Sequence, residues 1–209
     1  MAENPVVTSV KKINTCINMN LNNNNINLQE LINKNIEELS DGALTNINSY
    51  AFYSCAKLKS INLPACTNIG AYAFYICKSL TSIDLPVCTS IGSYAFDSCT
   101  SLTSIDLPAC TSIVNSAFNS CKALTSINLP ACTIIGSYAF YNCTSLTSIK
   151  LANTSKICTL SNSNAFNNTP IANKAGYIYV PDELVEQYKK ATNWSVYASQ
   201  IKPLSEYTE

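Results

Sequence analysis

Leu80 to Cys99 reads LTSIDLPVCTSIGSYAFDSC, and Leu102 to Cys121 reads LTSIDLPACTSIVNSAFNSC. The second stretch repeats the first after one 22-residue step, and the units beginning at Leu58 and Leu124 keep the same spacing. Phe52, Phe74, Phe96, Phe118 and Phe140 mark the period. Self-similarity at a fixed period of this length is the signature of a solenoid. One unit is too short to bury its own apolar residues, so stacked neighbours must share a continuous core.

The spacing inside a unit predicts its course. Leu102, Ile105 and Leu107 alternate as in a short strand with one buried face, and Pro108 ends the strand's hydrogen bonding. Cys110 and Ile113 turn the chain back to the core. Ala117, Phe118 and Cys121 line the opposite wall at a spacing that suits one helical turn. Gly70, Gly92 and Gly136 predict a corner with positive φ. The third unit has Val114-Asn115 there, with Ser116 in place of the tyrosine. Asn tolerates the left-handed region, so this corner is expected one position later.

Three regions follow. Residues 1–43 read as an N-terminal cap. Leu28, Leu31 and Ile32 sit at helical spacing behind the capping pair Asn27 and Glu30. Counting back one period from Leu58 and Ile61 gives Ile36 and Leu39, a degenerate first strand. Residues 44–170 are the array, fraying between Phe140 and Phe166, where the step is longer than one period, as a four-residue loop insertion would produce. Residues 171–209 read as a C-terminal cap. Tyr177 to Val180 is its strand, Leu184, Val185 and Tyr188 its helix, and Trp194, Tyr197 and Ile201 a further helical turn.

Composition excludes several functions. Charged residues are only 12% of the 209, so Ser, Thr and Asn fill the surface. All 13 cationic residues are lysine, net charge is zero and there is no His. Nucleic-acid binding calls for a basic stripe and favours Arg, so no such partner is expected. The lack of His removes the commonest general base and metal ligand, and no catalytic group, cofactor or metal site is assigned. Neither an apolar signal segment nor a run long enough to span a membrane is present. No membrane insertion is expected, and a cytoplasmic or phage-particle location fits these features.

The unit L-x-x-I-x-L-P-x-C-T-x-I-G-x-Y-A-F-x-x-C resembles the BspA-type leucine-rich repeat, also called the Treponema pallidum type. Leu58 to Cys77, Leu80 to Cys99, Leu102 to Cys121 and Leu124 to Cys143 match it nearly in full, with partial units over about residues 31 to 170. The ending YIYVPDELVEQYKKATNWSVYASQIKPLSE resembles the terminal segment of such proteins from gut Firmicutes and their prophages. The resemblance implies a right-handed leucine-rich-repeat solenoid of about 22-residue turns, with one parallel sheet and helical or mixed terminal caps. It further implies secreted or surface proteins that adhere to a protein or glycan on a host or cell surface, and it brings no catalytic residues.

Eleven cysteines include nine that recur at even spacing, two per unit, from Cys55 to Cys143. No CxxC occurs, and the even spacing fits no zinc pattern. Equivalent residues on successive turns lie about 4.8 Å apart, which suits stacking better than bridging. The ladders therefore read as small buried apolar residues with weak S–H donors. Cys16 and Cys158, outside the strict ladder, are the better candidates for a reactive thiol.

Two surfaces are candidate binding sites. One is the outward strand face: Thr81, Thr103 and Thr125; Ser82, Ser104 and Ser126; Asp84, Asp106 and Asn128. Other leucine-rich solenoids dock partners on this face. Small hydroxyl residues equally suit an exposed parallel sheet without a ligand, and the face carries no aromatic anchor. The second is a tyrosine stripe: Tyr72, Tyr94 and Tyr138 before the buried Ala-Phe pair, Tyr75 and Tyr141 after it. Tyr is a favoured contact residue and an ordinary cover for a core edge. Asp84 and Asp106, on adjacent turns, lack a third acid to make a calcium site. The function expected is a non-enzymatic adhesion module. The alternative is a structural part of a prophage tail or surface assembly that self-associates.

Overall fold

The computed structural model describes residues 37–40 and 42–208, so the predicted helix at Leu28–Ile32, Ile36 and Cys16 lie outside the described residues. The chain coils through two parallel sheets. Eight strands form the first: β1 (Glu38–Ser40), β3 (Ser60–Asn62), β5 (Ser82–Asp84), β7 (Ser104–Asp106), β9 (Ser126–Asn128), β11 (Ser148–Lys150), β13 (Tyr177–Val180) and β14 (Ile201–Pro203), side by side in that order. Six two-residue strands form the second: β2 (Asn46–Ile47), β4 (Asn68–Ile69), β6 (Ser90–Ile91), β8 (Ser112–Ile113), β10 (Ile134–Ile135) and β12 (Thr159–Leu160). The single parallel sheet expected is therefore joined by a second. Its strands bury only one residue each, Ile47, Ile69, Ile91, Ile113, Ile135 and Leu160, too little for a period-2 pattern to register.

The third side of each coil is neither strand nor helix until the last, where Ser163–Phe166 is a short 3₁₀ helix. The helical turn expected around Ala117 and Phe118 is replaced by consecutive tight turns, such as Ala117 N–H to Val114 O and Cys121 N–H to Phe118 O. Residues at regular intervals there adopt positive φ: Tyr50, Ser54, Tyr72, Ile76, Tyr94, Ser98, Ser116, Ser120, Tyr138 and Asn142. The resulting path aims every second N–H at the next coil, as in Tyr72 to Ser93 O at 2.9 Å, Phe74 to Ala95 O at 2.8 Å and Ile76 to Asp97 O at 2.9 Å. A left-handed residue costs on the order of 1 kcal/mol, and these inter-coil bonds offset it.

The glycines have a different role from the one predicted, since none has positive φ. A Cβ on Gly70 would lie 2.4 Å from Ser49 N, and one on Gly92 would lie 2.6 Å from Ala71 N. Glycine is there because the preceding coil's backbone leaves no room. The third-unit corner is not displaced either. Ser116, at φ 56°, takes the place of the tyrosines, and Asn115 is not left-handed.

One core runs through the coil. Phe52, Phe74, Phe96, Phe118, Phe140 and Phe166 stack with centroids 5.2–5.6 Å apart and planes within 8°. Each is buried, worth roughly 2–3 kcal/mol per ring. The insertion is split. Ile135 pairs with Leu160, three positions beyond one period, and Phe140 stacks on Phe166, four beyond. Three of the added positions thus precede β12 and one follows it. Past β13 come a 3₁₀ turn (Asp182–Leu184), helix α1 (Val185–Lys190) and a 3₁₀ helix (Ser195–Gln200). The chain then returns as β14, an eighth strand the sequence did not announce. Trp194 and Tyr197 close on Phe166, at 6.0 and 5.4 Å.

Candidate functional site

The sequence-predicted residues fall on two separate sides of the coil. Thr81, Ser82, Asp84, Thr103, Ser104, Asp106, Thr125, Ser126 and Asn128 lie along the outer face of the eight-stranded sheet. Tyr72, Tyr75, Tyr94, Tyr138 and Tyr141 lie on the turn side.

Much of the strand face is committed to holding itself together. Thr81 Oγ1 donates to Lys59 O, Thr125 Oγ1 to Thr103 O and Thr147 Oγ1 to Thr125 O, at 3.1–3.2 Å. Asn128 Nδ2 donates to Asp106 Oδ1 at 3.0 Å.

Between β5 and β7 this ladder is interrupted. Only Asp84 and Asp106 remain in register, while neighbouring strand pairs hold three residues each, as β3 with β5 and β7 with β9. Thr81 and Thr125 donate their N–H to the preceding coil, and Gly92 and Gly136 donate theirs to Ile69 O and Ile113 O. The equivalent bonds of Thr103 and Val114 are missing among the described residues. At the corner, Val114 brings a Cβ to a position where the neighbouring units have no room for one.

The face continues past the repeats, and there the expectation of no aromatic anchor fails. Ser148 pairs with Tyr177, and Lys150 with Tyr179, which pairs with Lys202. Tyr207 folds back onto them, edge-on to Tyr179 at 4.9 Å, with Lys150 Nζ 4.6 Å from its ring centre. Lys202 Nζ lies 5.8 Å from the Tyr177 ring and pairs with Glu206 at 3.0 Å. Sequence reasoning missed this cluster because the insertion takes Tyr177 and Tyr179 out of the repeat period.

The tyrosine stripe is two stacks. Tyr50, Tyr72 and Tyr94 lie 4.9 and 4.7 Å apart, within 9° of parallel. Tyr53 and Tyr75 lie beside them, 5.1 Å apart. The middle ring, Tyr72, is covered on both faces, so it presents an edge and a hydroxyl and no flat surface for a sugar. Burial, then repulsion from Tyr94 and Tyr50, raises the Tyr72 phenol. Asp97 follows Tyr75 in the row, buried at 5% exposure. Ser98 Oγ donates to it at 2.7 Å and Asn119 Nδ2 at 3.0 Å. Burial outweighs both bonds and holds its carboxyl above the usual range. Tyr138 and Tyr141 form a separate edge-on pair at 5.5 Å, cut off from Tyr94 by Ser116.

The ten described cysteines are free and buried. Cys77, Cys99, Cys121 and Cys143 donate S–H to the phenylalanine carbonyl of the preceding coil at 3.0–3.2 Å. Burial pushes the Cys88, Cys110 and Cys143 thiols up to about 12. Cys158, expected to be the more reactive, is also buried, 3.9 Å from Cys132. The S–H bond to Cys132 and burial raise it. No group of three or more metal-ligating side chains occurs among the described residues, and no described helix is long and apolar enough to cross a membrane.

The family model described as the BspA type leucine rich repeat region matches in six copies, over residues 6–87 and 45–173. No curated protein matches the chain. Among solved structures, a leucine rich repeat protein of T. pallidum is 35% identical over 52% of this chain and 53% of its own, with a TM-score of 0.49. The pneumococcal vaccine antigen PcpA is 20% identical over 81% of this chain and 40% of its own, with a TM-score of 0.60. A leucine rich cell surface protein of Faecalibacterium prausnitzii is 23% identical over 82% of this chain and 48% of its own, with a TM-score of 0.52. The last two likenesses are of fold. The chain spans about half the length of these proteins.

Proposed function

We propose that this chain, which belongs to the BspA-type leucine rich repeat family, is a non-enzymatic binding module that docks a protein or glycan on the outer face of the eight-stranded sheet. The observation that carries the reading is the cluster of Tyr177, Tyr179, Tyr207, Lys150 and Lys202 at the C-terminal end of that face. Tyrosine gives large contact area at low entropic cost and dominates recognition surfaces. The Thr, Ser and Asp rows beside it give a flat polar margin. The tyrosine stripe is the weaker docking surface, because its rings spend their faces on one another. Placement at a cell surface belongs to the same proposal; it is borrowed from the description of the F. prausnitzii protein, whose likeness to this chain is one of fold.

Protein and glycan arrays probed with the purified chain test the reading. The double variant Tyr177→Ser/Tyr179→Ser should lose at least tenfold in affinity, while Tyr72→Ala/Tyr94→Ala keeps it. A blank array, or a ligand indifferent to the first variant, counts against the proposal. A structural role through self-association is the second reading, favoured by the charge row of the same face.

A further inference from the structure

From β3 to β14 the register aligns one row across the sheet: Asn62, Asp84, Asp106, Asn128, Lys150, Tyr179 and Lys202, with Ser40 of β1 beyond Asn62. Turned end for end about Asn128, the row is its own complement. Asp106 falls opposite Lys150, Asp84 opposite the Tyr179 phenol and Asn62 opposite Lys202. The neighbouring row, Ser104, Ser126 and Ser148, is symmetric about Ser126 and sterically undemanding.

Two further observations point the same way. The ion pairs among the described residues are Lys59–Glu37, Lys189–Glu186 and Lys202–Glu206, so Asp84, Asp106 and Lys150 have no ion-pair partner among the described residues. The two carboxylates instead face each other across adjacent strands, an arrangement that needs a counter-charge. At the centre of the row, Asn128 gives an N–H to Asp106 and so places a neutral, hydrogen-bonded residue at the point about which two copies of the row would be related.

We propose that the chain forms a two-fold homodimer through this face, with the axis lying between the two sheets, parallel to the strands and over Asn128, so that Asp106 of each copy meets Lys150 of the other and Asp84 meets the Tyr179 hydroxyl. The contact is isologous and closes on itself. Tyr207, standing over Lys150 and Tyr179 in one half of the face, comes to lie over the bare Ser and Asp half of the other copy. The inference shares the reading of this face as the docking surface and names a second copy of the chain as an occupant. A foreign ligand on the face and the second copy then compete.

Sedimentation velocity over a concentration series tests it, on the full chain. The wild type should dimerise, more weakly as salt rises. Asp106→Lys and Lys150→Asp should each raise the dimer dissociation constant at least tenfold, by setting like charges opposite each other twice. An equimolar mixture of the two variants should restore dimers, because every substituted side chain then meets its opposite. The double variant Asp106→Lys/Lys150→Asp should also dimerise. Both positions face outward, so unchanged circular dichroism confirms that the variants fold. A wild type that stays monomeric at the highest concentration reached, dimers that persist in both single variants, or a mixture that fails to associate overturns the proposal. Array binding that depends on Tyr177 and Tyr179 in a strictly monomeric protein would sink self-association alone and leave the foreign-partner reading standing.

Discussion

The indole N–H of Trp194 donates a 2.6 Å hydrogen bond to the carbonyl of Cys158. Cys158 leads into β12, the last strand of the six-stranded sheet, so the bond closes an edge that has no further strand. Cys158 N–H donates to the Tyr188 hydroxyl at 2.7 Å, and Asn193 Nδ2 donates to Leu160 O at 2.8 Å. Three cap side chains thus substitute for a seventh strand.

Removing that indole donor should be costly. Trp194→Phe leaves a buried carbonyl unsatisfied and is expected to cost about 2 kcal/mol. Trp194→Ala, which also opens a cavity, is expected to cost about 4 kcal/mol. Urea unfolding measures both. Amide exchange should rise in β12 and β10 before β4 and β2, since solenoid neighbours share stability locally.

The interrupted ladder between β5 and β7 should show in amide exchange without any mutation. The N–H groups of Thr103 and Val114 are expected to exchange faster than those of Thr81, Thr125, Gly92 and Gly136, which keep their inter-coil bonds. Gly92→Ala should open a second such gap, at a cost of about 1–3 kcal/mol for overpacking, because its Cβ meets Ala71 N at 2.6 Å. Equal protection along the rows would refute the gap.

Thiol chemistry should be slow. A group titrating near 12 is thiolate in about one part in ten thousand at pH 8, and the ten described cysteines are also buried. Ellman's reagent is expected to label them only at the rate of unfolding and all at once in guanidinium. Rapid labelling of several thiols in the native protein would contradict the packing of both ladders.

Asp97 sets an acid-side dependence of stability. Its folded carboxyl is raised by burial, so its favourable contribution is complete below the unfolded Asp value near 4. That contribution is lost as pH rises through the higher folded value. Asp97→Asn should therefore raise the thermal midpoint at pH 7 and remove this part of the decline between pH 4 and 7. A variant that tracks the wild type at every pH would show that the carboxyl is not buried as described.

The apolar ladders were legible because they obey one period: from Phe52 to Leu151 each Phe, Leu and Cys sits where the repeat places it, and Leu39 pairs with Ile61 by the same count. What escaped was set by backbone geometry. The glycines are required by a neighbouring coil's backbone, which no single unit reveals. Left-handed tyrosines run against their own preference and are held by inter-coil bonds and by stacking on one another. The second sheet buries one residue per strand and leaves no alternation to detect. Of the candidate site, the Ser, Thr and Asp rows could be read directly. The cluster of Tyr177, Tyr179 and Tyr207 could not, since register through β11, β13 and the returning chain, rather than sequence spacing, assembles it.

β14 carries a consequence for growth. A stack of near-identical coils has no intrinsic length, and each bare end is a seed for the next molecule. At the C-terminal end the eight-stranded sheet finishes in a three-residue strand that holds Pro203, which lacks an N–H, and Lys202, whose charge discourages a flat neighbour. The chain turns away at once through Leu204–Glu206. Elongation is thus disfavoured at the very end where the aromatic cluster sits.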